Sequence, residues 1–351
     1  MNPDKPPIRV LIVEDSPVAR ELLVSILQNS PGLQVVGTAR NGVEAVRLAK
    51  RLKPDVITMD VHMPEMDGLE ATRQIMAETP LPIVMVTASL NKRERDLTFD
   101  ALQCGALSII EKPSMYDPPE VINRLADQVK LMSEVKVVRR WNRPSQLAPA
   151  SQPPAELAAL KQNGASKIQL VAMAASTGGP GILAEILRNL PANLLVPLLI
   201  VQHITTGFGQ GLADWLNQQT SLEVRMAKHA DEPKAGQVLI APDDYHMVVN
   251  SLGTITLSKE PPLQGLRPAA DYLFNSVARV YGATAIGIIL SGMGNDGAEG
   301  LAAMRKTGAH TIAQDKASCV VFGMPAVAIE LGAAEQILPA NQIAAAIAAL
   351  I

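Results

Sequence analysis

Two cysteines in 351 residues are too few for a disulfide scaffold. Cys104 and Cys319 form no CxxC pair and have no histidine cluster beside them, which excludes a structural zinc site of the usual spacing. Both sit among apolar or small residues and read as packing, with Cys319 as a nucleophile the lesser reading. Charge of one sign is also missing. The formal net charge is -3, so nothing electrostatic points to nucleic acid as a partner. No apolar run approaches the roughly 20 residues that span a bilayer. The opening MNPDKPPIRVLIVEDS has a short apolar run that ends in two acids, unlike a signal peptide. The expectation is a soluble, cytoplasmic chain with no membrane insertion.

What is present is apolar matter for two cores. The hydrophobic fraction is 48% and the charged fraction 19%, in a chain too long for one ordinary domain. Residues 139–166, RRWNRPSQLAPASQPPAELAALKQNGAS, are rich in Pro, Gln, Ser and Ala and read as a linker, helical in part over 155–161. A weakly amphipathic stretch, 119–138, precedes it as the last helix of the first domain. The expected division is a domain over 1–132, a linker over 133–166 and a second domain over 167–351. No repeat of solenoid period is visible.

The first domain alternates strand and helix. Strands are predicted over 8–13, 34–39, 56–59, 83–87 and 107–110, with helices such as 17–28 and 42–51 between them. This alternation predicts βαβ units, hence a five-stranded parallel, doubly wound sheet. The second domain repeats the logic, with strands predicted over 169–174, 196–202, 238–240, 285–290, 310–313 and 336–338. Helices are predicted to begin near Pro180, Gly209, Pro268 and Ala298. The stretch 245–257 reads as a hairpin turning at Asn250–Gly253, so the second sheet is expected to be mostly parallel with one antiparallel excursion.

In a parallel sheet, function gathers at the carboxyl edge of the strands. In the first domain that edge receives Glu14 and Asp15 from strand one, Asp60 from strand three, Thr87 from strand four and Lys112 after strand five. Three carboxylates repel unless a cation joins them, and Mg²⁺ suits an all-oxygen set. A lysine and a hydroxyl opposite would hold phosphoryl oxygens. Any one acid alone reads as a solvated strand end. Five suitable residue types at four strand ends favour phosphoryl transfer to an aspartate. Over about residues 8–130 the chain resembles bacterial response-regulator receiver domains, a flavodoxin-like fold, through VLIVEDS, DVITMDVHMPEMDGLEA, IVMVTAS and IIEKPS. The resemblance implies Asp60 as phosphoacceptor and Glu14, Asp15 and Asp60 around Mg²⁺. It also implies Thr87 as the switch hydroxyl and Lys112 on the phosphoryl group. His62 reads as surface.

In the second domain the first strand runs into VAMAASTGGPG, which places Ser176 on a glycine turn just before a helix. The helix N-terminus supplies free N–H groups and a positive dipole end. The next strand, LLIVQHITTGFG, ends at His203, and AIGIILSGMGNDGAEG ends in a loop carrying Asp296. One Ser, one His and one Asp from three strand ends are what nucleophilic acyl chemistry requires. The rival reading of ASTGGPG as a dinucleotide loop lacks the GxGxxG spacing and the ribose acid. His229, beside charges in KHADEP, reads as surface, and His310 as the start of a late strand. His246 in APDDYHMVV stays as a rim candidate.

Residues 168–351 resemble the catalytic domain of the chemotaxis protein-glutamate methylesterases, the CheB family. The matching stretches are AASTGGP, VQHITTGF, LIAPDDYHM, LRPAADYLFNSVA, GIILSGMGNDGAEGL and TIAQDKASCVVFGMP. The resemblance implies Ser176 as nucleophile, His203 as general base and acid, and Asp296 as its orienting partner. It implies the Met293 N–H as oxyanion donor and Thr177 as a pocket residue. It further implies demethylation of chemoreceptor glutamyl esters without a cofactor for the hydrolysis, and deamidation of receptor glutamines. A CheA-type histidine kinase would be the phosphodonor, and the unphosphorylated receiver would cover the active site. The chain departs from the family where AMAAS replaces the usual IGAS and where Leu266 stands for the histidine often found before the arginine. The second departure bears on receptor preference.

Overall fold

The computed structural model describes residues 6–87, 98–102, 104–135, 137 and 168–351. The helix expected over 155–161 and most of the linker lie outside the described residues. The chain divides into two compact units, Met1–Arg143 and Pro144–Ile351.

In the first unit the elements are β1 (Ile8–Val13), α1 (Pro17–Gln28), β2 (Leu33–Ala39), α2 (Gly42–Leu52) and β3 (Val56–Met59). They continue with α3 (Gly68–Glu78), β4 (Ile83–Thr87), β5 (Ser108–Glu111) and α4 (Pro119–Ser133). The strands pair in parallel in the order β2-β1-β3-β4-β5. Chain direction reverses across β1 and β3, and ligands bind at such a switch point in open α/β sheets. The continuous apolar runs of β3 and β4 are buried along their whole length, as helices on both faces of a parallel sheet demand. Short polar residues begin the helices. Ser16 caps α1, Asn41 caps α2 and Asp67 caps α3, each accepting a first-turn N–H.

The second unit contains β6 (Leu170–Ala175), α5 (Gly179–Asn189), β7 (Leu198–Gln202), α6 (Gly209–Gln219), β8 (Glu223–Met226) and β9 (Gln237–Ile240). A hairpin of β10 (His246–Val249) and β11 (Ile255–Ser258) follows, then α7 (Ala270–Tyr281), β12 (Ala285–Ile289) and α8 (Ala298–Lys306). The chain continues through β13 (His310–Gln314), α9 (Met324–Glu330), β14 (Gln336–Leu338) and α10 (Ala340–Leu350). Seven strands form one parallel sheet in the order β14-β13-β12-β6-β7-β9-β8. The antiparallel pair β10–β11 is a separate two-stranded sheet rather than an excursion within the large one. From β6 the chain moves outward through β7 and later returns to β12 on the other side. The switch point therefore lies at the carboxyl end of β6.

Two details differ from the sequence reading. The edge strand β8, EVRM, has an exposed Glu223 and one buried residue, Val224, and carries no apolar run to announce it. Helix α7 starts at Ala270 rather than near Pro268, because Ala269 is its extended N-cap residue.

Candidate functional site

The carboxyl edge of the second sheet assembles its polar residues through register. Ala175 of β6 stands opposite Gln202 of β7, and the His203 N–H donates to the Ala175 carbonyl at 2.9 Å. Ser176 and His203 are therefore the residues that follow directly on this facing pair at the ends of two adjacent strands. On the other flank the Ser176 N–H donates to the Ser291 carbonyl at 3.0 Å, which brings the loop after β12 against the serine. A β-carbon on Gly292 would lie 2.7 Å from that of Ser176, so this loop passes the serine as closely as backbone allows. Gly178, at φ 78, ends the serine turn in the left-handed region and is the N-cap of α5. The Ser176 hydroxyl makes no hydrogen bond among the described residues.

His203 turns Nε2 towards Asp296, with 2.8 Å between Nε2 and Oδ2. The two atoms are within ion-pair distance, but Nε2 does not meet the geometry of a hydrogen bond. Nε2 is thus the ring nitrogen that faces Asp296. Asp296 is 2% exposed, and Oδ2 accepts from the Ala270 N–H at 2.6 Å while Oδ1 accepts from the Asp271 N–H at 3.1 Å. Both donors belong to the first turn of α7, whose positive end favours the anion. Burial works against ionisation of Asp296. His203 and the two helix N–H groups outweigh it and hold the carboxyl below its ordinary value. The N–H groups of Thr177 and Met293 make no hydrogen bond among the described residues, and Met293 is 47% exposed beside the serine.

Several buried residues hold this edge together that sequence reasoning missed. Gln202 donates from Nε2 to the carbonyls of Ser176 at 2.8 Å and of His203 at 2.7 Å, tying the two strand ends. The Ser291 hydroxyl donates to the Thr177 carbonyl at 2.8 Å and accepts from the N–H groups of Val320 and Val321. Asp271 accepts from the Gly300 N–H at 2.7 Å, joining α7 to α8. Their partners are backbone groups far away in the chain, so no local pattern announces them.

Burial is the largest influence on Asp271, and the Asp296 and Glu299 charges add to it; together they push its carboxyl from 3.8 up to about 6. Between those values the folded chain keeps a proton that the unfolded chain has released, so stability falls as pH rises from about 4 to about 6. Asp271→Asn keeps an oxygen for Gly300 and carries no charge. The variant is expected to gain Tm relative to wild type as pH rises through that window, measured by thermal unfolding at pH 4.5 and 7. A gap independent of pH would contradict this assignment.

The remaining histidines fall elsewhere. His229 is exposed, with Nδ1 accepting from the Leu257 N–H, and His310 begins β13 and pairs with Glu335 at 3.1 Å. His246 is not on the rim. It opens β10, is fully buried and stacks on Tyr272. Burial, then Asp315, pushes the Cys319 thiol up to about 12, so it holds almost no thiolate at neutral pH and is a poor nucleophile.

In the first unit Glu14, Asp15 and Asp60 each offer an oxygen within 4.8 Å of the others. Glu14 and Asp60 are buried and Asp15 is exposed. Lys112 reaches both buried acids, 2.7 Å from Glu14 Oε2 and 3.2 Å from Asp60 Oδ2. Thr87 is buried at the end of β4, and its carbonyl accepts the Lys112 N–H at 2.8 Å. Burial raises the carboxyls of Asp60 and Glu14, against the pull of Lys112. Glu14 Oε2 is buried without a well-directed hydrogen bond. A hard cation fits this all-oxygen set, since it would offset the repulsion among carboxylates that Lys112 alone only partly balances. His62 is exposed.

The family model described as CheB methylesterase matches residues 171–347, and the one described as response regulator receiver domain matches residues 10–126. A protein-glutamate methylesterase/protein-glutamine glutaminase of Syntrophus aciditrophicus is 49% identical over 339 residues, 96% of this chain and 96% of its own. One of Nitrosospira multiformis is 46% identical over 347 residues, 98% of this chain and 97% of its own. The crystal structure of the Thermotoga maritima CheB methylesterase catalytic domain matches with a TM-score of 0.51 at 38% identity, covering 53% of this chain and 100% of that one. Among the described residues no helix is long and apolar enough to cross a membrane.

Proposed function

The chain belongs to the CheB methylesterase family and carries a response regulator receiver domain, and from that premise we propose that it is a phosphorylation-controlled protein-glutamate methylesterase and protein-glutamine glutaminase of chemotactic adaptation. One observation carries the reading: Ser176, His203 and Asp296 share the switch-point edge, with Asp296 held by the N-terminus of α7.

In this mechanism Ser176 Oγ attacks the carbonyl carbon of a glutamyl methyl ester as His203 takes its proton. Asp296 fixes the ring through Nε2 and stabilises the imidazolium. The Met293 N–H would donate a hydrogen bond to the developing oxyanion, and Thr177 would line the pocket. Collapse breaks the ester C–O bond, and His203 returns the proton to methanol. Water then attacks the glutamyl-serine ester with His203 again as base, which frees glutamate and restores the hydroxyl. With a glutamine substrate the first leaving group is ammonia. This chemistry uses the chain's own side chains, one backbone N–H and water.

On the receiver, Asp60 would take the phosphoryl group as a mixed anhydride, with Glu14, Asp15 and Asp60 holding Mg²⁺. The ion supplies charge neutralisation as the P–O bond forms. Lys112 would hold a phosphoryl oxygen and Thr87 would respond to it. The phosphodonor would be a CheA-type histidine kinase, and the substrates methylated chemoreceptors in the cytoplasm. The stretch 133–166 would tether receiver and hydrolase at high effective concentration, so phosphorylation of the one would govern turnover by the other.

The experiment is methanol release from methylated receptor membranes by the full chain, with ammonia release from unprocessed glutamine-bearing receptors beside it. Methanol is expected, with ammonia at a slower rate because an amide leaves less readily. A chain that releases no methanol from receptors yet hydrolyses other acyl esters would be a receiver-controlled hydrolase of another substrate.

A further inference from the structure

Three consecutive backbone N–H groups open α7, and each has a side-chain acceptor. Ala270 and Asp271 donate to Asp296. The group before them, on Ala269, donates to Nδ1 of His246 at 3.2 Å. The opposite ring nitrogen, Nε2, lies 3.2 Å from the Pro261 carbonyl. An amide can only donate and a carbonyl can only accept, so the ring must be the neutral tautomer with its proton on Nε2. Burial holds the imidazole below its ordinary value, with the Arg267 charge adding to that and Glu260 and Asp296 opposing it. The ring also stacks on Tyr272 of α7, with 3.8 Å between centroids and 19° between planes. A second tie repeats the pairing of hairpin and helix, because Ser276 of α7 accepts the Val249 N–H at 3.0 Å.

We propose that His246 is a positioning residue for Asp296: the β10–β11 hairpin uses its imidazole to lock the first turn of α7, whose next two N–H groups aim the carboxylate at His203. The proposal rests on the reading of Asp296 as the partner of His203. The physical reason for a histidine is specific. The Ala269 N–H is buried at a helix start and must be paired. A flat ring can accept that bond on one edge, donate to Pro261 on the other and stack on Tyr272 with its face. Asp271 ties the same turn to α8 through the Gly300 N–H, and the His246 ring ties it to the hairpin on the Ala269 side. A shift there moves the donors off the carboxylate, and displacements of about 1 Å at such supports cost up to about a hundredfold in rate.

The test is a double-mutant cycle on the full chain, reading kcat and KM for methanol release from methylated receptor membranes. His246→Phe keeps the stacked ring and removes both hydrogen bonds. It is expected to lower kcat about tenfold with KM unchanged, and to change kcat less than about twofold when Asp296→Asn is already present. His246→Asn places an acceptor near Nδ1 and should hold kcat within about threefold, whereas His246→Gln reaches only the Pro261 side and should behave as His246→Phe. If His246→Phe does not fold, the Asn and Gln variants carry the same cycle. Equal factors in both backgrounds, or a Gln variant as active as the Asn variant, overturn the proposal. A lone Asp296→Asn chain at native kcat would instead sink the reading of Asp296, and this proposal with it.

Discussion

Ser176→Ala is expected to lower kcat for methanol release by about 10⁴-fold or more, equivalent to about 5.5 kcal/mol of transition-state stabilisation. Its Tm should stay within about 2 °C of wild type, because surface changes that break no bond shift stability by less than about 0.5 kcal/mol. The hydroxyl makes no hydrogen bond among the described residues, and the backbone of Ser176 keeps its bonds to Ser291, Gly179 and Gln202. The substitution therefore removes one oxygen and leaves the turn standing. The size of the effect separates classes of protein. A non-catalytic signalling adaptor with this fold would show no turnover in either form, and an enzyme using another nucleophile would be almost unchanged. Cys319 does not supply that other nucleophile, since its thiol is pushed up to about 12.

Asp60→Asn is expected to abolish control of hydrolysis by phosphorylation. With acetyl phosphate and Mg²⁺, the wild-type rate should rise by about 5- to 150-fold, the usual span of a coupling free energy between sites. The variant should stay at the unstimulated rate and bind no phosphoryl group by intact mass. The reason is chemical. A carboxylate oxygen can form the mixed anhydride, and an amide cannot. Lys112 keeps its contact with Glu14 when the Asp60 charge is removed, so the variant should fold. Equal wild-type rates with and without the phosphodonor would reject receiver control and leave the hydrolase reading intact.

Much of this arrangement is legible in the sequence because parallel strands buried on both faces are continuous apolar runs that stop at the functional edge. LVAMAA stops before Ser176 and LLIVQ before His203. VITM stops before Asp60. After LVAMAA and VITM the first polar residue is one the edge displays, whereas in LLIVQ it is Gln202, one position before His203. What was not legible lacks such a run or depends on distant partners. Strand β8 pairs only along one side and alternates polar and apolar residues. Gln202 reads as the last strand residue, and its amide becomes meaningful only once Ser176 lies alongside. His246 looked like a rim histidine because it follows APDDY. Its partners, Pro261, Ala269 and Tyr272, lie 15 to 26 positions further along the chain, and no periodicity connects them.

The most direct measurement compares kcat for methanol release by Ser176→Ala with that of the triple variant in which His203→Gln and Asp296→Asn are added. Groups that act as one unit on one proton lose their effect together. The triple variant is therefore expected to retain the same residual rate as Ser176→Ala, within about threefold. A triple variant slower by the product of the separate losses would mean that the three side chains act independently. A Ser176→Ala chain with native turnover would mean that catalysis lies elsewhere.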